Sequence, residues 1–501
     1  MRVADIVDSI PGAAVLAGSR DLGLLGVAFD SRRVAPGDAF FALRGERVDG
    51  HDYLHQAMAA GAVALVVDRQ LALPPGATAV LVPDTRLALA HAAAINYHHP
   101  SRRLQLVGVT GTKGKTTTTH LVRAVLQAAG HQTGLIGTIH NIVGGRAEAV
   151  THTTPEAPDL QLLFRRMVDS GDRAVAMEVS SHALAQSRVA CSEYDVAALT
   201  NLGHDHLDFH RTQEQYVAAK ARLFAFKSLR AAVLNASDPS SERMREQLAS
   251  GVSEWTYALG AAQRASRLHV QAGRVRLLPS RVEFEVQTPQ GCETIDLGLP
   301  GRFNVQNALC ALTIGLACGI SLAACCRGLS SVRGVPGRFE RVPAGQPFEV
   351  IVDYAHTPES LANVLETARE FTAGKLIAVF GCGGDRDRTR RPTMGRIASS
   401  LADYVVVTSD NPRSEDPEAI IHDIVVGMPQ QAGASRRTWE SIADRAAAIG
   451  AAVGMAAPSD VVVICGKGHE TYQIIGDRVV HFDDREVVRA VLQRLGYGEA
   501  E

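Results

Sequence analysis

Short apolar runs alternate with helix-spaced apolar positions along most of the chain, and that rhythm predicts an α/β protein in three parts. In residues 1–98, LLGVAF, AVALVV and AVLVP read as strands, with a helical pattern, YLHQAMAAG, between them. The polar stretch YHHPSRR, which holds Pro100, marks the first boundary. The second part, 99–335, opens on the apolar run LQLVGVT, a Gly-rich turn and a helical pattern over 116–129 closed by Gly130. GLIGT, AVAMEVS, VAALTNL and AAVLN then recur with helical patterns between several of them, as a parallel sheet requires. Residues 267–296 switch to a period of two and predict a small antiparallel β insert. After GVPGR, the third part, 336–501, carries four buried-strand candidates: FEVIVDYAH, KLIAVFG, DYVVVTS and DVVVICG. Helical patterns near 358–371, 393–402, 417–427, 439–456 and 484–495 surround them, which predicts a doubly wound sheet with ligands beyond the carboxyl ends of its strands.

One segment complicates that picture. Residues 308–326 hold no charge over a length that could cross a bilayer. Gly319 followed by Ser321 reads instead as a helix stop and a new N-cap, so two short buried helices are expected. The N-terminal stretch MRVADIVDSIPGAAV carries Asp5 and Asp8 and no clean apolar core, so no signal peptide is expected. At 501 residues the length fits about three domains, each large enough to build its own core. Lys and Arg number 51 against 53 Asp and Glu, a net −2, which argues against nucleic-acid binding by bulk charge. None of the eight cysteines forms a C-x-x-C pair, which points to reduced thiols in a cytoplasmic protein.

The strongest chemical signal is GVTGTKGKTT, residues 108–117, with a strand entering and a helix leaving. Backbone N–H groups of such a loop cradle phosphate, Lys115 can neutralise the terminal phosphates, and the Thr116 hydroxyl can reach magnesium. Glu178 ends the strand AVAMEVS, where a carboxylate could hold the same ion, ahead of Ser180, Ser181 and His182. NLGHDHLDFH packs His204, Asp205, His206, Asp208 and His210 together, but its spacing lacks the context of a zinc site and reads as a polar loop. Lys220 lies in the helical pattern YVAAKARLF, and spacing alone marks nothing special about it. In the third part, DYAHTP, GCGGDRD, DNPR and GKGHE each follow a strand. A dinucleotide fingerprint would need glycine where Arg386 stands, which disfavours nicotinamide binding. Arg386, Arg413, Asp410 and Glu470 would gather two guanidiniums and two carboxylates at one rim, as a zwitterionic substrate needs, or form a surface ion-pair network.

Taken in order, GVTGTKGKTT, EVSSH, NLGHDHLDFH, YVAAK, LPGRFNVQNALCA, GRFE, DYAHTP, GGDRD, DNPR and GKGHE resemble the Mur ligases, ATP-dependent amino-acid ligases of peptidoglycan precursor synthesis, over about residues 27 to 480. DNPR with GKGHE is similar to the branch that adds meso-diaminopimelate. The resemblance implies a small N-terminal α/β domain (1–98) for the UDP-substrate, a central P-loop ATPase domain (99–335) and a C-terminal Rossmann-like domain (336–501) for the amino acid. It implies that Gly111, Thr112, Lys113, Gly114, Lys115, Thr116 and Thr117 hold the ATP phosphates, with Asn304, Arg338 and Asp353 against the nucleotide. Thr116, Glu178 and His206 would hold magnesium, and Lys220 would be carbamylated. Phe29, Ser31, Glu46, Arg47 and Val48 would serve the uridine side. His152, Thr153, Thr154, Ser180, Gln186 and Arg188 would serve the peptidyl muramoyl part. Arg386, Asp410, Asn411, Pro412, Arg413, Gly466 and Glu470 would grip diaminopimelate. A monomer without membrane insertion is implied as well.

Three positions depart from the family pattern: Lys113 and His152 stand where asparagine is usual, and Ser237 replaces the first of two adjacent acids. The implied chemistry is activation of a D-glutamate γ-carboxylate as an acyl phosphate, followed by attack of an amine. Arg413 could pair with the second carboxylate of diaminopimelate, which lysine lacks, and so reject lysine. A lysine-adding or folate-polyglutamylating ligase, a small-alcohol phosphotransferase and a silent ATP-binding scaffold are the alternatives.

Overall fold

A computed structural model describes residues 1–45, 48–262, 265–429 and 438–498. The chain forms two compact units. One comprises Met1–Gln271, Gln287–Gly291 and Gln306–Gly328; the other comprises Ala272–Val286, Cys292–Val305 and the chain from Leu329 onward.

Within the first unit, the N-terminal sheet runs in the order Ala14–Ala17, Thr78–Leu81, Ala64–Val67, Asp38–Phe41, Gly26–Ala28. Only the Ala14–Ala17 edge is antiparallel. Asp38–Phe41 is buried throughout, yet its sequence, DAFF, is too short and too polar at its start to announce a strand. The helix Thr85–Asn96 also escapes the apolar pattern, because its inner face is mostly alanine: Ala88, Ala92 and Ala93 are buried.

The larger sheet of this unit is the expected parallel one. Ala231–Asn235, Val196–Leu199, Gln105–Thr110, Ala174–Glu178 and Thr133–Ile136 lie side by side, all parallel. Gln105–Thr110 is therefore central, and its carboxyl end delivers the Gly-rich loop between two neighbours that also carry polar strand ends. Leu106, Met177 and Ala197 on one face pack against Phe164, Met167 and Phe224. The uncharged stretch is two helices, Arg302–Ala317 and Leu322–Ser331. Gly319 between them takes φ +80°, and the Ser321 hydroxyl accepts from the Ala324 amide at 3.4 Å. Among the described residues no helix is long and apolar enough to cross a membrane.

The period-two region forms strands Leu268–Leu278, Arg281–Thr288 and Gly291–Leu297, neighbours in chain order.

In the second unit the sheet order is Glu340–Arg341, Glu349–Asp353, Val461–Cys465, Leu376–Phe380, Tyr404–Val407, Trp439–Ser441, parallel except at its first edge. Helices cover both faces, as a doubly wound sheet requires. Leu365, Met394 and Ile424 pack one face, and Ile449, Val453 and Leu492 the other. One expectation shifts: the helical pattern at 439–456 begins as the edge strand Trp439–Ser441, and the helix starts only at Arg445. A hairpin, Tyr472–Ile475 with Arg478–His481, was not anticipated.

Candidate active site

The Gly-rich loop joins Gln105–Thr110 to the helix Lys115–Ala128. Gly111 has φ +149°, and a Cβ there would run into the Thr200 hydroxyl; Gly114 has φ +84° and faces Asn307 in the same way. No side chain fits at either position, so the loop's amides remain bare toward the helix N-terminus. The next strand end holds the loop in shape. Thr200 Oγ1 donates to the Lys113 carbonyl at 2.6 Å, and the Asn201 side chain accepts from the Lys113 amide at 3.0 Å while donating to its carbonyl at 3.1 Å. Thr112 Oγ1 pairs with the Tyr216 hydroxyl at 2.9 Å and accepts from the Gly203 amide at 2.9 Å. Lys115 Nζ donates to the carbonyls of Gly111 (2.9 Å) and Thr112 (3.0 Å), which keeps its charge over the loop. Lys113 reaches Asp205 at 3.6 Å. Thr117 is buried in the first helical turn.

Glu178 is almost wholly buried at the end of its strand. Its carboxylate accepts from Thr116 Oγ1 (3.0 Å), the Thr138 amide (2.8 Å) and Thr138 Oγ1 (3.1 Å). Thr138 Oγ1 lies 3.1 Å from Thr153 Oγ1, and Thr154 Oγ1 donates to the Glu178 carbonyl at 2.8 Å while accepting from the Ser180 amide at 3.1 Å. Arg188 donates to the Thr154 carbonyl at 3.0 Å and to Gln186 Oε1, and forms an ion pair with Glu156 at 2.9 Å. Thr153, Thr154, Ser180, Gln186 and Arg188 thus form one connected rim around the Glu178 strand end. His152 lies exposed beside it, 3.1 Å from Thr151 Oγ1.

The His204–His210 run is a loop and a short helical turn. Among the described residues no group of three or more His, Cys, Asp or Glu side chains meets as a metal site. Glu178 and the Thr116 hydroxyl are hard oxygen donors beside the phosphate loop, a set that fits magnesium completed by phosphate oxygens. His206 takes φ +54° and stacks edge-on against His182 at 4.7 Å. Burial lowers its pKa, which favours the neutral ring. Burial pulls the Asp205 carboxyl upward, but the nearby Lys113 ammonium and the His206 backbone amide act against it, and the net shift is downward. Lys220 is fully buried, its Nζ donating to the Gly111 carbonyl at 2.8 Å over the Tyr216 ring. Burial, reinforced by Lys115, pushes its pKa far down, so the amine is uncharged much more readily than an exposed lysine.

The uridine-side residues are less gathered. Phe29 lies under the Arg33 guanidinium at 6.0 Å, Ser31 donates to Gln56 at 3.2 Å, and Val48 is exposed. Glu46 and Arg47 lie outside the described residues.

In the second unit, Asp353 accepts from the amides of Phe339 (2.7 Å) and Ala355 (2.8 Å). Arg338 stacks over Tyr354 at 4.8 Å. Asn304 is buried and donates to the Pro300 carbonyl at 2.8 Å; the neighbouring Phe303 ring packs against Phe339. Four strand-end loops converge as expected. Asn411 Nδ2 donates to Glu470 Oε2 at 2.9 Å, and a Cβ on Gly466 (φ +117°) would strike the Asp410 carboxylate. Arg413 takes φ +53° and donates to the Gly384 carbonyl at 2.7 Å, so its guanidinium lies against Gly383, which Arg386 also flanks. The Pro412 carbonyl approaches Gly384 so closely that no side chain fits there. Arg386 is exposed; Asp410 and Asn411 are buried. The pattern missed Lys467. It is completely buried and donates to Glu470 at 3.1 Å and to Asn411 Oδ1 at 3.2 Å. Burial raises the Glu470 pKa, against the pull of Lys467.

Family models describe much of this architecture. Residues 24–107 match the Mur ligase family catalytic domain, 109–315 the Mur ligase middle domain, and 337–468 the Mur ligase glutamate ligase domain. A UDP-N-acetylmuramoyl-L-alanyl-D-glutamate--2,6-diaminopimelate ligase from Geobacillus thermodenitrificans is 46% identical over 500 residues, 98% of this chain and 99% of the relative. A solved structure of a ligase bearing the same name superposes with a TM-score of 0.71 at 32% identity, over 98% of this chain and 99% of that one. A MurF ligase from Thermotoga maritima in complex with ADP shares the fold, with a TM-score of 0.62 at 19% identity over 95% of this chain and 99% of that one.

Proposed function

Because the chain belongs to the Mur ligase family, we propose that it joins meso-diaminopimelate to the D-glutamate γ-carboxylate of UDP-N-acetylmuramoyl-L-alanyl-D-glutamate, with cleavage of ATP to ADP and phosphate, in peptidoglycan precursor synthesis. The observation that carries this reading is the DNPR loop, whose Asn411 is tied to Glu470 while Arg413 is aimed across Gly383. We place the reaction in the cytoplasm, where all eight cysteines stay free thiols, and take the working form as a monomer with boundaries near 98 and 335.

A carboxylate is a poor acyl donor at neutral pH. Transfer of the ATP γ-phosphoryl group to a γ-carboxylate oxygen gives an acyl phosphate and ADP. The amine of diaminopimelate then attacks the carbonyl carbon and loses a proton, and phosphate departs. The loop amides of residues 111–117 and Lys115 neutralise the phosphates; this is catalysis by positioning and charge. Thr116, Glu178 and His206 are the residues that would hold magnesium, which when bound supplies a counter-charge to the phosphate oxygens. The rim of Thr153, Thr154, Ser180, Gln186 and Arg188 orients the carboxylate-bearing peptide. Lys220 has a buried amine whose lowered pKa favours the uncharged form that carbamylation needs: the amine adds to CO2, loses a proton and becomes an anion beside the phosphate loop.

Glu470 and Asn411 suit the ammonium end of the amino acid, and Arg413 its second carboxylate. With lysine bound instead, the Arg413 guanidinium would be desolvated without a carboxylate. The test is tripeptide formation by the purified protein with diaminopimelate, with L-lysine and with neither. Product only with diaminopimelate is expected. Arg413→Ala should lower kcat/KM for diaminopimelate by about 10³ to 10⁴-fold, and an unchanged rate overturns the assignment.

A further inference from the structure

A cavity of about 740 Å³ opens in the first unit at the end of the parallel sheet opposite to the phosphate loop. Its wall is built from residues that precede strands. Arg102 comes before Gln105–Thr110, Cys191 and Glu193 come before Val196–Leu199, and Phe226 and Lys227 come before Ala231–Asn235. The phosphate loop and Glu178 follow strands of this sheet. Strands of four to six residues at about 3.3 Å each separate the two ends by roughly 13–20 Å. His91, from the helix Thr85–Asn96, completes the wall, so the cavity lies where the N-terminal sheet's helix meets the central sheet. Small-molecule sites favour such junctions, and the volume falls inside their usual range of about 300–1,000 Å³.

The lining has a definite chemistry. Three permanent cations face it, Arg102, Arg222 and Lys227, against one carboxylate, Glu193. Arg102 is already paired with Glu193 at 2.7 Å. Arg222 donates only to the Leu184 carbonyl at 3.3 Å, and among the described residues neither Arg222 nor Lys227 has a carboxylate partner. A chain with a net charge of −2 thus concentrates two uncompensated positive charges in one hollow. The rest of the wall mixes polar groups, His91, His99, Ser187, Ser192 and Ser228, with an apolar patch in which Val189 and Leu184 are buried and the Phe226 ring is fixed edge-on against Tyr194 at 5.1 Å. A guanidinium and an ammonium beside an apolar patch match an anion of charge near −2 that carries a hydrophobic body.

We propose that this cavity is a second ligand site, for a small organic phosphate monoester with an apolar body, separate from the ATP site. Arg222 and Lys227 hold the phosphate, and Val189 and Phe226 cover the organic part. Arg222 stands two residues beyond Lys220, so occupancy can be felt in the helix that carries the buried lysine.

The probe is phenyl phosphate, titrated by calorimetry into the full-length protein saturated with magnesium and a non-hydrolysable ATP analogue. One saturable site is expected under those conditions. Binding should weaken about tenfold or more in the Arg222→Ala/Lys227→Ala double variant, and measurably in Lys227→Glu alone, a change at an exposed position that leaves folding and ligase turnover intact. Inorganic phosphate and benzoate should each bind more weakly, because one lacks the organic body and the other the second charge. Absence of saturable binding, displacement by the ATP analogue, equal affinity for inorganic phosphate, or unchanged affinity in the double variant would each overturn the proposal.

Discussion

His210 shows how one side chain in the loop ties the catalytic surroundings to pH. Its ring is buried against Tyr216 and lies 2.9 Å from Ser181 Oγ; burial pushes its pKa from 6.5 down to about 4. The unfolded chain therefore binds a proton near pH 6.5 that the folded chain refuses until about pH 4. Stability contributed by this residue is complete above pH 6.5 and is lost as the pH falls through that window. Urea unfolding of wild type and His210→Gln at several pH values should show the variant less acid-sensitive; parallel pH profiles would refute this. At this scale the sequence was legible where a residue's chemistry is local. The glycines at 111 and 114 and Thr116 could be read from a strand–loop–helix pattern, because loop geometry dictates them, whereas Glu178, at the end of another strand, reads on its own equally as a solvated strand end until its burial and its bond to Thr116 are seen. Lys220 and Lys467 could not be read from spacing. What sets them apart is complete burial, which only the fold creates. Thr200, Asn201 and Thr138 went unnoticed for a related reason, since each acts by bonding a backbone or carboxylate far away in sequence.

Among the elements, the loop that starts at Asp410 depends on partners from two other segments. The unanticipated hairpin straps it: Arg413 donates its amide to the Ile474 carbonyl at 3.0 Å, Gly476 donates to the Arg413 carbonyl at 2.7 Å, and Gln473 donates to the Asp410 carbonyl at 2.7 Å. These bonds hold Arg413 in a left-handed conformation that an isolated loop would leave. The hairpin was invisible to the apolar pattern because Arg478–His481 is exposed along its whole length, so no buried face imposes alternation. Beneath the loop, the buried Lys467 ammonium is bonded to both Asn411 and Glu470. Lys467→Met keeps the volume and removes the charge. Glu470, already raised by burial, loses the group that opposes the rise. KM for diaminopimelate should climb about tenfold or more, with KM for ATP unchanged and a pH optimum moved upward. Equal losses for both substrates would instead signal general damage to the sheet.

For the whole molecule, the informative join inside the first unit is the one between the N-terminal sheet's helix and the central sheet. The helices Thr85–Asn96 and Ala157–Asp169 pack together through small residues, with Ala90, Ala93 and Ala157 buried. Charge reinforces the join at both ends: Arg33 reaches Asp159 at 2.9 Å, and Glu156 stands between Arg86 (3.8 Å) and Arg188 (2.9 Å). The Arg33 pair is exposed and contributes little. Glu156 is different, because burial pulls the Arg188 pKa down and Glu156 is the charge that opposes it. Removing that carboxylate leaves two half-buried guanidiniums facing each other, a loss on the order of 2–4 kcal/mol. It also frees Arg188, which holds the Thr154 carbonyl in the rim around Glu178. Glu156→Gln should therefore act twice. Limited proteolysis should cut faster near residue 98, and KM for the UDP-muramoyl dipeptide should rise while ATP binding persists, since the phosphate loop takes its supports from Thr200, Asn201 and Tyr216 instead. Faster proteolysis without a change in that KM would separate the two roles and show that Arg188 keeps its place without Glu156.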